Sequence, residues 1–383
     1  MRSDWSLDPL EIAVEHPFGA VDVPRRRPPP VEGVRDALDA LLADLLAAGP
    51  TGVLFSGGRD SSALLAVAVL VARRQQLPEP IAVTCVYPEH VDLDETAAQH
   101  AVIGAVRPAD WLRIEIRDEM DVVGPAAQLS LRRHGYLYPA TVQSWDQIYA
   151  AVPGYRLIDG EGGDEVLGPL RASPLAHLRR RRGRPYPGRR GDAALALAPG
   201  VVRRAAARRA SGPEAPTWLR PEARREYLRR LANELAAEPL DWRAAVRRQP
   251  RLRGHLIGAE SVRLVAQSHG VEVVSPLLHP RFLDALAARG GPLGFASRTT
   301  AMNELFGDVV PACVVRRHTK ASFNQVFCGR HSREFATKWD GAAGIDSELV
   351  DAEALRASWL SSMPHGASFA LLQHAWLATV RAA

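Results

Sequence analysis

One short apolar run that stops at a pair of glycines and restarts as a helix constrains this chain more than any other feature. The stretch reads Phe55-Ser56-Gly57-Gly58-Arg59-Asp60-Ser61-Ser62, with Gly52-Val53-Leu54 before it and an Ala-, Leu- and Val-rich segment after it. Two glycines let the backbone turn tightly and come close to a ligand. Successive N–H groups and a helix N-terminus then converge on one point, which suits an anion. Ser56, Ser61 and Ser62 add hydroxyl donors. Asp60 would repel a bare phosphate, so it makes sense with a divalent cation between the two. The spacing is not that of a Walker A loop, which needs GxxxxGK[ST]. The bland alternative is a Ser/Gly turn that binds nothing.

Around this turn, strands and helices alternate. Apolar spacing predicts a helix from Val34 to Ala48, broken by Gly49-Pro50. A buried strand follows at Gly52 to Phe55, then a helix from Ser61 to Arg73. Further strands are expected at Ile81 to Tyr87, Trp111 to Ile116 and Tyr155 to Ile158, with a helix from Glu95 to Val106. This alternation implies an α/β fold, a doubly wound parallel sheet with helices on both faces. From about residue 170 onward, Ala-, Leu- and Arg-rich helical stretches dominate. The expected organisation is an N-terminal arm over residues 1–30, an α/β core over 31–170 and a mostly helical lobe over 171–383. The arm ends in the basic, Pro-rich stretch Pro24 to Pro30, which reads as extended.

Composition narrows the function classes. Hydrophobic residues make up 46% and charged residues 24% of the chain, which is the balance of an ordinary globular protein. No apolar run reaches membrane-spanning length, and the N-terminus has no signal layout, so a cytoplasmic location is expected. Cys85, Cys313 and Cys328 are scattered, and suggest neither a disulfide framework nor a metal knuckle. Much of the basic excess lies between Arg171 and Arg230. It reads as a solvated surface or as a patch for an anionic partner. Little aromatic interleaving accompanies it, so nucleic acid is not the expected partner. Lysine is nearly absent: Lys320 and Lys338 stand alone among 48 Lys and Arg residues. A position that stays Lys in such a chain can need a compact, tunable ammonium that Arg cannot supply.

A second glycine-and-acid turn, Asp159-Gly160-Glu161-Gly162-Gly163-Asp164-Glu165, follows the strand ending at Ile158. Taken with the first, it carries a resemblance. The first turn resembles the SGGxDS signature of the PP-loop ATP pyrophosphatases, which cleave ATP between the α and β phosphates. The second resembles the SGEGxDE motif of asparagine synthetases and their relatives, the β-lactam synthetases and lasso-peptide cyclases, with Asp159 where Ser is usual. Asp94-Glu95-Thr96-Ala97-Ala98 resembles the DExxxA helix start. Val271-Glu272-Val273-Val274-Ser275-Pro276-Leu277-Leu278 resembles the GVExRxPFLD segment, with Ser275 departing from the pattern before the proline. Arg316-Arg317-His318-Thr319-Lys320-Ala321-Ser322-Phe323 resembles the RxKxxF loop, with the Arg one place out of register.

The resemblance implies a reaction and assigns residues to it. An ATP-dependent, AMP-forming amide synthetase would activate a substrate carboxylate as an acyl-adenylate and pass it to an amine or ammonia. Asp60 and Asp164 would hold Mg²⁺ against the phosphates. Ser56, Gly57, Gly58, Ser61 and Ser62 would cradle the pyrophosphate. Phe55, Asp159 and Gly160 match adenosine-contacting positions, and Cys85 aligns with another, although a buried Cys is also a small hydrophobe. Lys320 would meet the α-phosphate, and Glu161 would orient or deprotonate the amine. Few residues precede the first turn, and none of them is Cys, so no built-in glutaminase is expected. The amine would come from free ammonia, a separate partner protein, or the substrate itself, whether a small molecule or a peptide. Three alternatives stand beside this reading: asparagine synthesis from aspartate using ammonia or a partner glutaminase, a tRNA-modifying PP-loop enzyme, and a non-catalytic relative that binds a partner.

Overall fold

Five short runs of β-branched and apolar residues pair in parallel to build the sheet that organises the chain. In this computed structural model, residues 6–22, 32–90, 93–180, 191–317 and 323–382 are described. The strands are β1 (Thr51–Leu54), β2 (Ile81–Val86), β3 (Trp111–Glu115), β4 (Arg156–Ile158) and β5 (Glu272–Val274). Their spatial order is β3-β2-β1-β4-β5. Register is set by Val53 opposite Ala82 and Ile158, and by Ile158 opposite Val274. Phe55 N–H donates to Val83 O at 2.7 Å and Asp159 N–H donates to Val274 O at 3.0 Å, so the ladder runs one residue past each strand.

Parallel strands are buried on both faces, and the side chains here divide with the two-residue period of a strand. Val53, Phe55, Ala82 and Ile158 pack into one core with helix α2 (Val34–Ala47), helix α3 (Arg59–Gln75) and the helix Pro280–Gly290. Val83, Leu157, Leu54 and Cys85 face the other way, against Ile148, Tyr149 and Val265 of the helices Asp146–Ala151 and Arg253–Gln267. The fold is therefore the doubly wound α/β sheet expected from the alternation. Chain order reverses between β1 and β4: the chain walks outward to β3, then returns to the far side of β1. At such a reversal the loops at the carboxyl ends of the two strands splay apart and leave a crevice. The two glycine-and-acid turns are those two loops.

Two expectations need correction. The sheet does not end near residue 170, because β5 lies a hundred residues later and pairs with β4. Three residues are too few to show a strand period, so β5 was legible only as part of a motif. Nor is the N-terminal stretch wholly irregular. Helix α1 (Pro9–Val14) is closed by a capping box in which Glu11 N–H donates to Asp8 Oδ1 at 2.9 Å and Asp8 N–H donates to Glu11 Oε2 at 3.1 Å. Pro24 to Pro30 lie outside the described residues.

A third core joins α1 to the C-terminal helices. Leu10, Ala13 and Val14 pack with Trp218, Trp339, Trp359, Leu355 and Phe369. Trp218 Nε1 donates to Ala13 O at 2.9 Å, and Arg253, at the start of the helix Arg253–Gln267, is ion-paired with Glu11. No helix among the described residues is long and apolar enough to cross a membrane.

Trp218 is 1% exposed, and it both fills this core and satisfies a buried carbonyl. Replacing Trp218 by Ala should lower the unfolding free energy by about 3–5 kcal/mol. Trp218→Phe keeps most of the burial and should cost about 1–3 kcal/mol, chiefly the orphaned Ala13 carbonyl. Urea unfolding of both variants checks this; a Trp218→Phe variant as stable as wild type would show that the indole bond contributes nothing.

Candidate active site

The loop after β1 is held open by its own polar groups. Gly57 has φ 85°, in the left-handed region that glycine enters at no steric cost. Gly58 N–H donates to Ser56 Oγ at 3.2 Å, Ser56 N–H to Ser61 Oγ at 3.3 Å, and Ser61 Oγ to Gly58 O at 3.2 Å. Gln99 Nε2, from helix α4 (Thr96–Val106), donates to Ser56 O at 3.2 Å, and Thr84 Oγ1 donates to Phe55 O at 2.7 Å. Gly58 is the N-cap of α3 and offers no side chain to its first turn. The N–H groups there, with the positive end of a 17-residue helix dipole, face the crevice. Ser62 is different: it is fully buried, and its Oγ has no hydrogen-bond partner. The structure thus places Ser62 beneath the loop and not on the open face of the crevice.

The loop after β4 closes on the first one. A Cβ at Gly163 would lie 2.3 Å from Asp60 Cγ, and one at Gly160 would lie 3.4 Å from Asp60 Cβ and from Ser61 N. Only a residue without a side chain lets Asp164 and Asp60 come this close. Between them sits Arg298, whose Nη2 pairs with Asp60 and whose Nη1 pairs with Asp164. Two carboxylates about 4 Å apart repel by about 4 kcal/mol at an effective dielectric constant of about 20, so a cation between them is an electrostatic requirement. The guanidinium is a stand-in: it shows that one cation can reach both groups. Asp60 and Asp164 thus fit the role of holding Mg²⁺. Burial lowers the Arg298 pKa, and the neighbouring Asp60 opposes that shift.

Arg298 was not foreseen. It opens the helix Arg298–Phe306, whose N-cap Ser297 accepts from Thr300 N–H at 3.1 Å. Arg59 Nη1 donates to Thr299 Oγ1 at 3.4 Å, which ties the first loop to the same helix start. In a chain so rich in Arg, nothing local marks this one.

The remaining acids form a second group. Asp159 Oδ1 accepts from Glu161 N–H at 3.1 Å. Burial pushes the Asp159 carboxyl up to about 7; the Ser275 hydroxyl bonded to it pulls down, and the Glu161 charge pushes up. Asp159 and Ser275 are both departures from the motif patterns, and they are partners in the structure. Glu161 is exposed, and its Oε1 lies 3.3 Å from His255 Nδ1. His255 is mostly buried on the helix Arg253–Gln267, and although that burial works against its charged form, Glu161 and Glu165 raise its pKa overall. One ligand atom from each of Glu161, Glu165 and His255 falls within 4.8 Å of the others, a spacing that also suits a metal ion. His255 too was missed, because a lone His on a helix face carries no sequence signal.

The other expected residues are placed as follows. Phe55 is 1% exposed, so it can present only its backbone to a ligand. The Cys85 thiol is largely buried in the second-face core beside Tyr87, and burial pushes it up to about 12. Lys320 lies outside the described residues. Its described flanks are both anchored at the connection between β2 and α4. Arg317 makes a two-pronged ion pair with Glu95, its Nη2 lying 2.6 Å from Oε1, and the Phe323 ring stands 5.3 Å from that of Tyr87. The Arg that is one place out of register therefore has a partner in the DExxxA helix start.

A parallel sheet with an anion loop and two converging carboxylates at its switch point is an architecture for phosphate ligands. The chain belongs to the asparagine synthase family, whose model matches residues 33–377. Comparison with curated proteins finds no match. The family makes the chain an ATP-dependent ligase of the amide-forming kind.

Two outcomes follow from this geometry. Arg298→Met removes the stand-in cation, so its melting temperature should fall without magnesium and recover when MgCl₂ is added, with a smaller magnesium effect in wild type. A variant indifferent to magnesium would mean that the two carboxylates do not form a cation site. The second concerns pH. Asp159 binds a proton more tightly folded than unfolded, so its contribution to stability is full below about pH 4 and is lost as pH rises through about 7. Glu15, also buried and also pushed up to about 7, shifts stability in the same direction. The difference between wild type and Asp159→Asn isolates Asp159: the Asn variant should gain on wild type as pH rises from about 4 to about 8 in thermal melts.

Proposed function

We propose that this protein activates a substrate carboxylate with ATP as an acyl-adenylate, releases pyrophosphate, and transfers the acyl group to an amine or to ammonia with loss of AMP. The observation that carries this reading is the convergence of Asp60 and Asp164 on one cation, beside the open N-terminus of α3.

The residues divide the work. The backbone around Ser56, Gly57 and Gly58, with the Ser61 hydroxyl and the first turn of α3, takes the β and γ phosphates. Phe55, Asp159 and Gly160 flank the adenosine through their backbone, and Cys85 shapes the strand beside it. Bound magnesium would neutralise phosphate charge as pyrophosphate leaves. Asp60 and Asp164 would hold it, which frees Arg298 to face the phosphates. Lys320 is assigned to the α-phosphate, where a compact ammonium stabilises charge in both steps. Glu161 takes up the amine in the second step. As nitrogen attacks the acyl carbon, the bond from that carbon to the AMP oxygen breaks. The amine proton passes to Glu161 and the imidazole behind it. His255 is thus a positioning residue that keeps Glu161 oriented and shares its proton. Aspartate with ammonia, and a peptide carboxylate with an amine of its own or a partner's, are the two substrate classes this chemistry admits.

ATP–pyrophosphate exchange with a panel of aspartate, other amino acids and peptides tests the reading. Exchange should require a carboxylic acid, and Asp60→Asn and Lys320→Ala should each lower it about 100-fold or more. Glu161→Gln and His255→Gln should leave exchange near wild type while amide formation drops about 100- to 10,000-fold, the range of one general acid–base contribution. Amide formation by wild type should fall as acid protonates His255, and the His255→Gln profile should lose that limb. Formation of ADP and phosphate in place of AMP and pyrophosphate would overturn the assignment.

A further inference from the structure

The arginine-rich segment contains a surface that the catalytic reading does not use. The helices Gly200–Ser211 and Pro221–Ala236 pack side by side as a hairpin. Between them runs an open groove of about 370 Å³, lined by Val201, Arg204, Ala205, Arg208, Arg229 and Asn233. No residue of this groove belongs to the catalytic mouth. The first four sit at i, i+3, i+4 and i+7 of one helix, and Arg229 and Asn233 at i and i+4 of the other, so each wall is a single helix face.

This helix carries an unusual concentration of uncompensated charge. Several helix-surface arginines elsewhere lie next to a carboxylate: Arg225 with Glu222, Arg229 and Arg230 with Glu226, Arg263 with Glu260, and Arg247 with Asp284. The helix Gly200–Ser211 carries four arginines and no acid, and buries none of its side chains. Arg203 is used internally, where it donates to Ala236 O and Glu238 O. Arg204, Arg208 and Arg209 are exposed, and have no ion-pair partner among the described residues. Val201 is 69% and Val202 51% exposed beside them, which is costly for a face with no occupant.

We propose that this groove docks an acidic polypeptide segment that carries apolar residues among its carboxylates. Arg204 and Arg208, one turn apart, would pair with two such carboxylates. Val201 and Ala205 would take the apolar side chain between them. A nucleic acid fits less well, because no aromatic ring lines the groove to stack a base.

The test uses the full chain, with fluorescence anisotropy of three labelled probes: a peptide of repeated Glu-Glu-Leu, its Gln-Gln-Leu counterpart, and a polyuridine oligonucleotide of equal charge. Wild type should bind the acidic peptide and not the Gln peptide, and R204E/R208E should bind it about tenfold more weakly. Both side chains are exposed, so the variant should melt with wild type; if it does not, R204Q/R208Q replaces it. Equal peptide binding by wild type and variant would overturn the proposal. So would tighter binding of the oligonucleotide than of the peptide, lost in the same variant. A wild-type dimer that the variant breaks, with no peptide binding, would assign the face to a second copy and also overturn it.

Discussion

Two like charges held together at a sheet's switch point are the constraint around which this molecule is arranged. Asp60 begins α3 and Asp164 begins the short helix after β4, and each is placed by a loop that glycine alone can form. Their repulsion requires a cation, and Arg298 supplies one from the start of a helix well over a hundred residues later. That single requirement joins three distant parts of the chain. It also ties the mostly helical lobe to the α/β core: the lobe's β5 completes the sheet and its Arg298 completes the electrostatics of the mouth.

The α/β core was legible because its signals are local. The period of α2, the Ala/Leu/Val run of α3 and the glycine breaks each lie within one window of sequence, and the structure follows them closely. Ser56, Gly57, Gly58, Asp60, Ser61, Gly160 and Asp164 were legible for the same reason, and the fold brings them together. What was not legible was whatever depends on distance or burial. Ser62 carries the right chemistry in the right motif, yet its position on α3 turns it into the core. Arg298 and His255 matter only through what they touch, and neither touches a sequence neighbour that would have marked it. β5 has too few residues to show a period and is a strand because β4 offers it an edge.

The departures from the family pattern are also structural sentences rather than noise. An ionised Asp at position 159 would be a poor replacement for Ser, since burial there disfavours charge. The Ser275 hydroxyl bonds to it, and burial holds the carboxyl near neutrality. A protonated carboxylic acid presents one O–H donor and an acceptor, as a serine hydroxyl does. The pair Asp159 and Ser275 therefore keeps the hydrogen-bonding character of the usual residue by moving one hydroxyl to the neighbouring strand's exit. Arg317 is a similar case: one place out of register, it still reaches Glu95 at the start of α4.

The use of lysine is the argument for the proposed role of Lys320. Nearly all helix-surface cations in this chain are arginines, and several clasp a nearby carboxylate with two nitrogens, as Arg229 does with Glu226 and Arg263 with Glu260, for which a planar fork is better suited than an ammonium. Lys338 is exposed in the last turn of the helix Arg330–Lys338, where any cation complements the dipole. Arg would serve there as well, so Lys338 shows that lysine is tolerated where its chemistry is immaterial. Lys320 lies outside the described residues; of its described flanks, Arg317 pairs with Glu95 and the Phe323 ring meets that of Tyr87. An ammonium places a compact charge on a single oxygen, which is what a reacting phosphorus centre requires and what a fork cannot concentrate.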